Sequence, residues 1–254
     1  MITSFISSLL FYEVRYLIDI RPVLVTMLCM AAFFVLFEKA RSARNRHYLW
    51  LCVPIQILWT NSQGLYMIGL FIIGTYWVES VALFAFKKER KPLLESAILL
   101  SAAASCVINP YGWGGIALPF ELFSRITPAV KNIYSLNISE NVPLMALSGY
   151  ESVYRHTVII SAIAAVCVVI LNRKRARIAH VLLFAGFLVL AFLAVRNVLL
   201  YIIAVIPLIG YNASHARILD LSARLTDRSR RFIIPLTSIA AVAIMLDILI
   251  FKAF

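Results

Sequence analysis

Four short polar segments separate long apolar runs, and their residue types could bind an anion or accept a proton. They are Asp19-Ile20-Arg21-Pro22, Trp59-Thr60-Asn61-Ser62-Gln63-Gly64, Asn109-Pro110-Tyr111-Gly112-Trp113 and Arg196-Asn197. The planar guanidinium of arginine suits a phosphate group, because it can donate two parallel hydrogen bonds. A carboxylate can act as general base toward a hydroxyl group. The residue types therefore indicate a site for an anionic ligand, provided that the fold brings these segments to one place.

Each segment also has an ordinary structural interpretation. Pro22 suits the first turn of a helix, where its missing N–H costs nothing. Asn61 and Asn109 are good helix caps and turn formers, and Tyr111 is typical of the aromatic belt at a membrane surface. Arg196 is different, because it lies in a very short turn between two apolar runs. A buried arginine in that setting requires a partner or an anionic ligand.

The composition indicates which solvent surrounds these segments. The 254 residues are 62% hydrophobic and 14% charged, with a mean hydropathy of +0.90, whereas a soluble domain is about half apolar and about a quarter charged. A chain of this size cannot bury so much apolar surface by itself, but lipid accepts it. We therefore expect an all-α, polytopic bundle of transmembrane helices in a cell membrane, with residues 1–254 forming a single transmembrane domain.

Nine apolar runs are candidates for spans. They lie near 2–18, 22–38, 48–59, 65–86, 92–108, 152–171, 178–194, 197–211 and 231–251. Most of them approach the ~20 residues that a helix needs to cross the hydrocarbon core. The sequence thus predicts about nine spans. One long connection remains, 109–151, and its amphipathic stretch 116–126 is predicted to lie along the membrane surface.

Clusters of basic residues predict the orientation of the spans. They lie at 39–46, 87–91, 173–177 and 217–231, in every second connection. Because cytoplasmic loops are rich in Lys and Arg, we expect the N-terminus in the cytoplasm, the C-terminus outside, and the long loop 109–151 outside. The short run 48–59 must then cross, since otherwise the first two clusters would lie on opposite sides.

The sequence argues against two other kinds of partner. A formal net charge of +12 would suit nucleic acid if it formed one patch on a soluble fold, but here it is divided among short clusters, so no nucleic-acid partner is expected. The four histidines, His47, His156, His180 and His215, are scattered, and no metal site is predicted. Glu79, inside the fourth run, is expected to pair with a nearby cation.

The order of the motifs resembles a known superfamily. Arg21-Pro22, then W-x-N-x-x-G at 59–64, then NPYGW at 109–113, then Glu140, then Arg196 two spans later, is similar to bacterial membrane proteins of the GT-C glycosyltransferase superfamily. In its usual members the second motif reads W-x-N-x-H-G, whereas here Gln63 stands at the histidine position. The resemblance extends from about residue 20 to residue 210.

The resemblance implies a function on the outer face of a bacterial inner membrane. It implies a polyprenyl-phosphate sugar as the lipid-linked donor, membrane lipid as surroundings, and no further cofactor. The candidate catalytic acids are Glu140 and Asp19. The candidate residues for binding the lipid phosphate and the substrate are Arg196, Arg21, Asn61, Gln63, Asn109 and Tyr111. We expect all of them to line one outer cavity.

Two departures from the superfamily leave alternatives open. The usual catalytic carboxylate lies in an outer loop preceded by further N-terminal helices, which are not expected within this chain, and Gln63 replaces the motif histidine. An incomplete, split or inactive member is therefore expected, with a possible partner membrane chain supplying the missing helices. The alternative is a non-catalytic membrane subunit or scaffold of a cell-envelope complex. A transporter or lipid flippase is less favoured, because the sequence contains no internal repeat.

Overall fold

The structure is a computed structural model that describes residues 2–14, 17, 22–43, 45–87, 90–126, 139–173 and 175–215. Within these residues the regular structure is helical and contains no strand, which confirms the all-α prediction. The α-helices are α1 (Ile2–Glu13), α2 (Val23–Ser42), α3 (Cys52–Ser62), α4 (Met67–Lys87), α5 (Leu93–Ser105), α6 (Trp113–Ile126), α7 (Ser152–Leu171), α8 (Ile178–Leu193) and α9 (Val198–His215).

Among the described residues, four helical segments are long and apolar enough to cross a membrane. They are Val23–Arg41, Gly64–Lys87, Ser152–Leu171 and Val195–His215, and two shorter apolar helices, Leu93–Ser105 and Ile178–Leu193, accompany them. A helix suits lipid because it satisfies its backbone hydrogen bonds internally. Large apolar side chains such as Leu28 (71% exposed) and Leu100 (72% exposed) cover the outer helix surfaces, as expected of helices that face lipid. The predicted run 231–251 lies outside the described residues.

The chain forms two compact units. The first, which we call the motif unit, comprises residues 19–141 and 177–183; the second, the terminal unit, comprises residues 1–18, 142–176 and 184–254. In the motif unit α2 packs against α3 and α4, and α5 packs against the same two helices. In the terminal unit α9 packs against α1 and α7. Three of the four polar segments that the sequence singles out fall within the motif unit. The structure describes two of them in full, 59–64 and 109–113, and Pro22 of the first.

Aromatic rings fill the core of the motif unit. Phe33 of α2 meets Trp59 of α3 edge to face, with ring centroids 5.8 Å apart. Phe37, one turn further along α2, stacks on Tyr76 of α4 at 4.5 Å. All four side chains are buried. Such ring pairs add specific geometry to the burial of apolar surface, and here they hold α2 against both α3 and α4.

Polar side chains join α7 and α9 in the terminal unit. Ser161 and Tyr201 share a hydrogen bond between their hydroxyl oxygens at 3.0 Å, and Asn172 Nδ2 donates to Asn212 Oδ1 at 2.9 Å. All four residues are buried. Between apolar helices, hydrogen bonds of this kind act together with close packing, because the hydrophobic effect does not distinguish a neighbouring helix from lipid.

A glycine allows α3 and α4 to approach each other closely. Gln56 of α3 is fully buried and its Nε2 donates to the backbone oxygen of Tyr66 at 3.0 Å. A Cβ atom on Gly69 would collide with Gln56 Oε1 and would lie 3.0 Å from Trp59 and 3.1 Å from Phe33. Gly74, five residues later in the same helix, has open space around the same position.

This contrast predicts opposite effects of two alanine substitutions in α4. Gly69→Ala should force Gln56 to give up its bond to Tyr66 and should cost about 1–3 kcal/mol, as overpacking usually does. Gly74→Ala should be neutral or stabilising, by up to ~1 kcal/mol, because alanine favours the helix. Thermal unfolding of the detergent-solubilised variants measures both. Equal melting temperatures for the two variants would contradict the close packing at Gly69.

Candidate functional site

The W-x-N-x-x-G motif lies at the end of α3, and its asparagine reaches the neighbouring motif. Asn61 Nδ2 donates to the backbone oxygen of Ile57 at 2.8 Å and to that of Ile108 at 2.8 Å. The last carbonyls of a helix have no partner within the helix, so the side chain supplies one. Because Ile108 directly precedes Asn109, this hydrogen bond brings the second and third polar segments together.

The NPYGW segment is a turn built around the side chain of Asn109. Its Oδ1 accepts from the backbone N–H of Tyr111 at 2.8 Å, and its Nδ2 donates to the carbonyls of Cys106 at 2.8 Å and Gly112 at 3.1 Å. Gly112 has φ of +52°, a conformation that favours glycine. A Cβ atom on Gly115 would lie 2.7 Å from Asn109 Cγ. Gly115 therefore leaves space for the Asn109 side chain. Gly112 allows the backbone to turn.

A third connection ties α2 to the same end of the unit. Helix α2 begins directly after Pro22, and its buried Thr26 accepts a hydrogen bond from Trp59 Nε1 at 3.1 Å. The Thr26 hydroxyl donates in turn to Oε1 of Gln63. Residues of the W-x-N-x-x-G motif thus contact both the NPYGW turn and the start of α2. We call this group the motif cluster: Thr26, Trp59, Asn61, Gln63 and Asn109.

The residues predicted to bind a ligand in or beside the motif cluster fall into two groups. The amide groups of Asn61 and Asn109 bind backbone carbonyls, so here they shape the site. Tyr111, in contrast, is 79% exposed beside them and is open to a ligand. That these residues contact substrate stays a prediction.

The other predicted site residues lie elsewhere. Asp19 and Arg21 are outside the described residues. Glu140 is half-buried in the short helical turn Ser139–Asn141 of the motif unit. Arg196 belongs to the terminal unit. The prediction of one cavity lined by all of them therefore stays a prediction.

Arg196 lies in a tight turn held by its two neighbours. Before it, the backbone N–H of Val195 donates to the oxygen of Val142, within the long loop, at 3.1 Å. After it, Asn197 Nδ2 donates to the oxygen of Leu190 at 2.9 Å. The Nε atom of Arg196 is buried and, among the described residues, has no hydrogen-bond partner. A buried donor without a partner is costly, so this position favours an acceptor from outside the described residues.

A buried ion cluster, which the sequence analysis found only in part, lies in the motif unit. Arg177, just before α8, binds Glu79 through Nε (3.2 Å to Oε1) and Nη2 (2.6 Å to Oε2), and its Nη1 lies 2.5 Å from both carboxylate oxygens of Glu38. His180 Nε2 is 3.0 Å from Glu38 Oε1, and the Tyr76 hydroxyl donates to the same oxygen at 2.8 Å. The prediction that Glu79 pairs with a cation is confirmed.

The charge on Arg177 is stabilised by its partners. Burial by itself favours the neutral form, but the hydrogen bonds and charge of Glu79, and then the charge of Glu38, outweigh it and raise the pKa of Arg177 above its ordinary value. Arg177 also lies 5.6 Å from the Tyr76 ring centre, in a cation–π contact. In the sequence, Arg177 looks like any other member of the cluster 173–177. Its spacing of three residues from His180, about one helical turn, is the signal that could have singled it out.

Within the described residues, no group of three or more His, Cys, Asp or Glu side chains is arranged to hold a metal ion. Comparisons of the chain with protein-family models, with curated proteins and with solved structures found no match.

The ion cluster predicts unequal effects of removing two neighbouring arginines. Arg177→Ala leaves two carboxylates without their buried cation, and removing one partner of a buried pair costs about 3–5 kcal/mol. Arg173→Ala, at an exposed position of the same basic segment, should change stability by less than about 0.5 kcal/mol. Melting temperatures and the yield of folded protein report the difference. Comparable losses in both variants would show that the cluster does not contribute specifically to stability.

Proposed function

We propose that this chain is a multi-pass bacterial membrane protein of the GT-C type, and that its outer-face site binds a polyprenyl-phosphate sugar. The observation that carries the proposal is the hydrogen bond between Asn61 and Ile108, because it links the W-x-N-x-x-G motif to the residue directly before NPYGW. The two motifs are 45 residues apart in the sequence, and the packing of α3 on α5 brings them together at one end of the motif unit. The link from Thr26 to Trp59 and Gln63 adds the helix that follows the Arg21-Pro22 motif.

In this proposal Arg196 holds the phosphate of the lipid donor. Its Nε is buried and makes no hydrogen bond to the described residues, and a guanidinium fits two phosphate oxygens at once. Arg21 would supply a second cation. The lipid tail needs no special pocket, because the apolar helix surfaces already face lipid.

An active member would use this arrangement for glycosyl transfer. The bond between the anomeric carbon and the phosphate oxygen breaks, and the lipid phosphate leaves with the bonding electrons. An acceptor hydroxyl forms the new glycosidic bond and gives its proton to a carboxylate, for which Glu140 and Asp19 are the candidates. Arg196 stabilises the charge that develops on the departing phosphate.

A second candidate is a non-catalytic subunit that binds or scaffolds without transferring sugar. One observation favours it: the amides of Asn61 and Asn109, and the Gln63 side-chain oxygen, are already used in hydrogen bonds within the protein. The two candidates differ in a direct assay. Purified protein in lipid nanodiscs is given a radiolabelled polyprenyl-phosphate sugar and an acceptor glycan. An enzyme releases the lipid phosphate, and a non-catalytic subunit does not.

We further propose the nine-span topology with a cytoplasmic N-terminus. The support is that Arg46, of the first basic cluster, and Arg90, of the second, line one pocket. Two clusters at the same end of the motif unit require an even number of crossings between them, and the runs 48–59 and 65–86 supply two. The rule that basic loops stay inside then gives the orientation.

Labelling of single cysteines tests this topology. After replacement of Cys29, Cys52, Cys106 and Cys167, a cysteine introduced by Lys91→Cys should be protected from a membrane-impermeant maleimide in intact cells and should react after lysis. Ser148→Cys, in the long loop, should react in intact cells. Both positions are exposed, so accessibility within the protein does not limit either reaction. Labelling of both in intact cells would contradict the topology.

The proposed role of Arg196 predicts a difference between binding and stability. Arg196→Lys keeps the charge but loses the two-pronged geometry, so polyprenyl-phosphate binding should weaken by on the order of tenfold to a hundredfold, since a hydrogen bond to a charged group contributes about 1.5–3 kcal/mol. The melting temperature without ligand should stay close to that of the wild type. Arg173→Lys is the matched control and should affect neither. Unchanged binding in Arg196→Lys, or a loss of stability alone, would refute the role.

A further inference from the structure

A basic pocket lies in the motif unit, apart from the motif cluster. It is open, has a volume of about 500 Å³ and is lined by Asn45, Arg46, His47, Arg90 and Leu94. Asn45 to His47 belong to the connection between α2 and α3, and Arg90 and Leu94 come from the connection into α5 and its first turn. None of these residues belongs to the four polar segments from which the proposed function is argued.

Buried and local contacts hold two of the lining residues in place. Arg46 Nη1 pairs with Oε1 of Glu95, a buried residue in the first turn of α5. The backbone N–H of His47 donates to Asn45 Oδ1 at 3.0 Å, which leaves the amide nitrogen of Asn45 as a donor. Arg46 therefore presents its remaining N–H groups from a fixed position, and the side chain does not have to be ordered by a ligand.

The chemistry of the lining suits an anion that carries phosphate. Two guanidinium groups, an imidazole and an amide nitrogen provide donors from two separate chain segments. Glu95 offsets part of the charge of Arg46. The second lining arginine, Arg90, is exposed, as is Lys91, which follows it in the sequence. The volume lies within the range of pockets that hold small ligands, about 300–1,000 Å³. Leu94 gives the pocket one apolar wall.

We propose that this pocket binds a phosphate-bearing anion, either the headgroup of an anionic lipid or a soluble phosphate ester. Basic loop residues usually remain solvated and act only on topology. The concave arrangement of Arg46 and Arg90, with Arg46 anchored by a buried carboxylate, differs from that ordinary case. Basic pockets between helices on the cytoplasmic side commonly bind anionic headgroups. The proposal does not depend on the sugar-donor function, because it concerns different residues.

The test compares two arginine variants in nanodiscs. Arg90→Gln removes one lining guanidinium at an exposed position, so the fold should be retained. Arg175→Gln removes the same charge from an exposed position outside the pocket. One arm titrates glycerol 3-phosphate onto each protein in phosphatidylcholine nanodiscs. The other arm measures, by native mass spectrometry, how many phosphatidylglycerol molecules each protein retains from mixed nanodiscs.

We expect the wild type and Arg175→Gln to bind equally in at least one arm, and Arg90→Gln to bind at least fivefold more weakly in that arm. Binding in the first arm identifies a soluble phosphate ester, and binding in the second alone identifies a lipid headgroup. Equal weakening in both variants would mean a nonspecific charge effect and would overturn the proposal, as would the absence of binding in both arms. Donor-sugar binding, measured on the same samples, should be unchanged in Arg90→Gln, which separates this result from a failure of the proposed function.

Discussion

The arrangement of the motif unit depends on the pairing of one buried guanidinium with two carboxylates. Arg177 binds Glu79 of α4 and Glu38 of α2 at once, and His180 of α8 contacts the carboxylate of Glu38. A buried ion pair often adds little net stability, because both charges lose their hydration. A wrong register of the helices is costly, however, because it would leave a charge unpaired in an apolar region. We attribute to this cluster the relative positions of α2, α4 and the start of α8.

Polar groups also have to be paired where α3 and α5 end. Terminal carbonyls need donors from outside the helical backbone, and a side chain of the same or a neighbouring helix can supply them. Asn61 serves the oxygens of Ile57 and Ile108, and Asn109 serves that of Cys106. The motif asparagines therefore close the helix ends before they meet any ligand.

Periodicity and composition predicted the elements well and their pairing poorly. Apolar runs located α2, α4 and α7 almost to their ends, because lipid imposes a similar length on each span, and the amphipathic stretch 116–126 lies within helix α6. The sequence predicted that Glu79 pairs with a cation but did not identify the cation. The segment 173–177 contains four similar basic residues, and only burial in the structure distinguishes Arg177 from the others. The contact between Asn61 and Ile108 follows from the packing of α3 on α5, which no local pattern encodes.

Helical geometry bears on the proposed crossing by the short run 48–59. A 3₁₀ helix of five residues, His47–Leu51, leads directly into the eleven residues of α3. With a rise of about 2.0 Å per residue in the first part and about 1.5 Å in the second, the two together extend about 26 Å. The hydrocarbon core is about 30 Å thick, and a bilayer thins locally around a short span at modest cost. The tighter winding thus gives a short sequence nearly the reach of a full span, from the basic pocket at His47 to the motif cluster at Asn61.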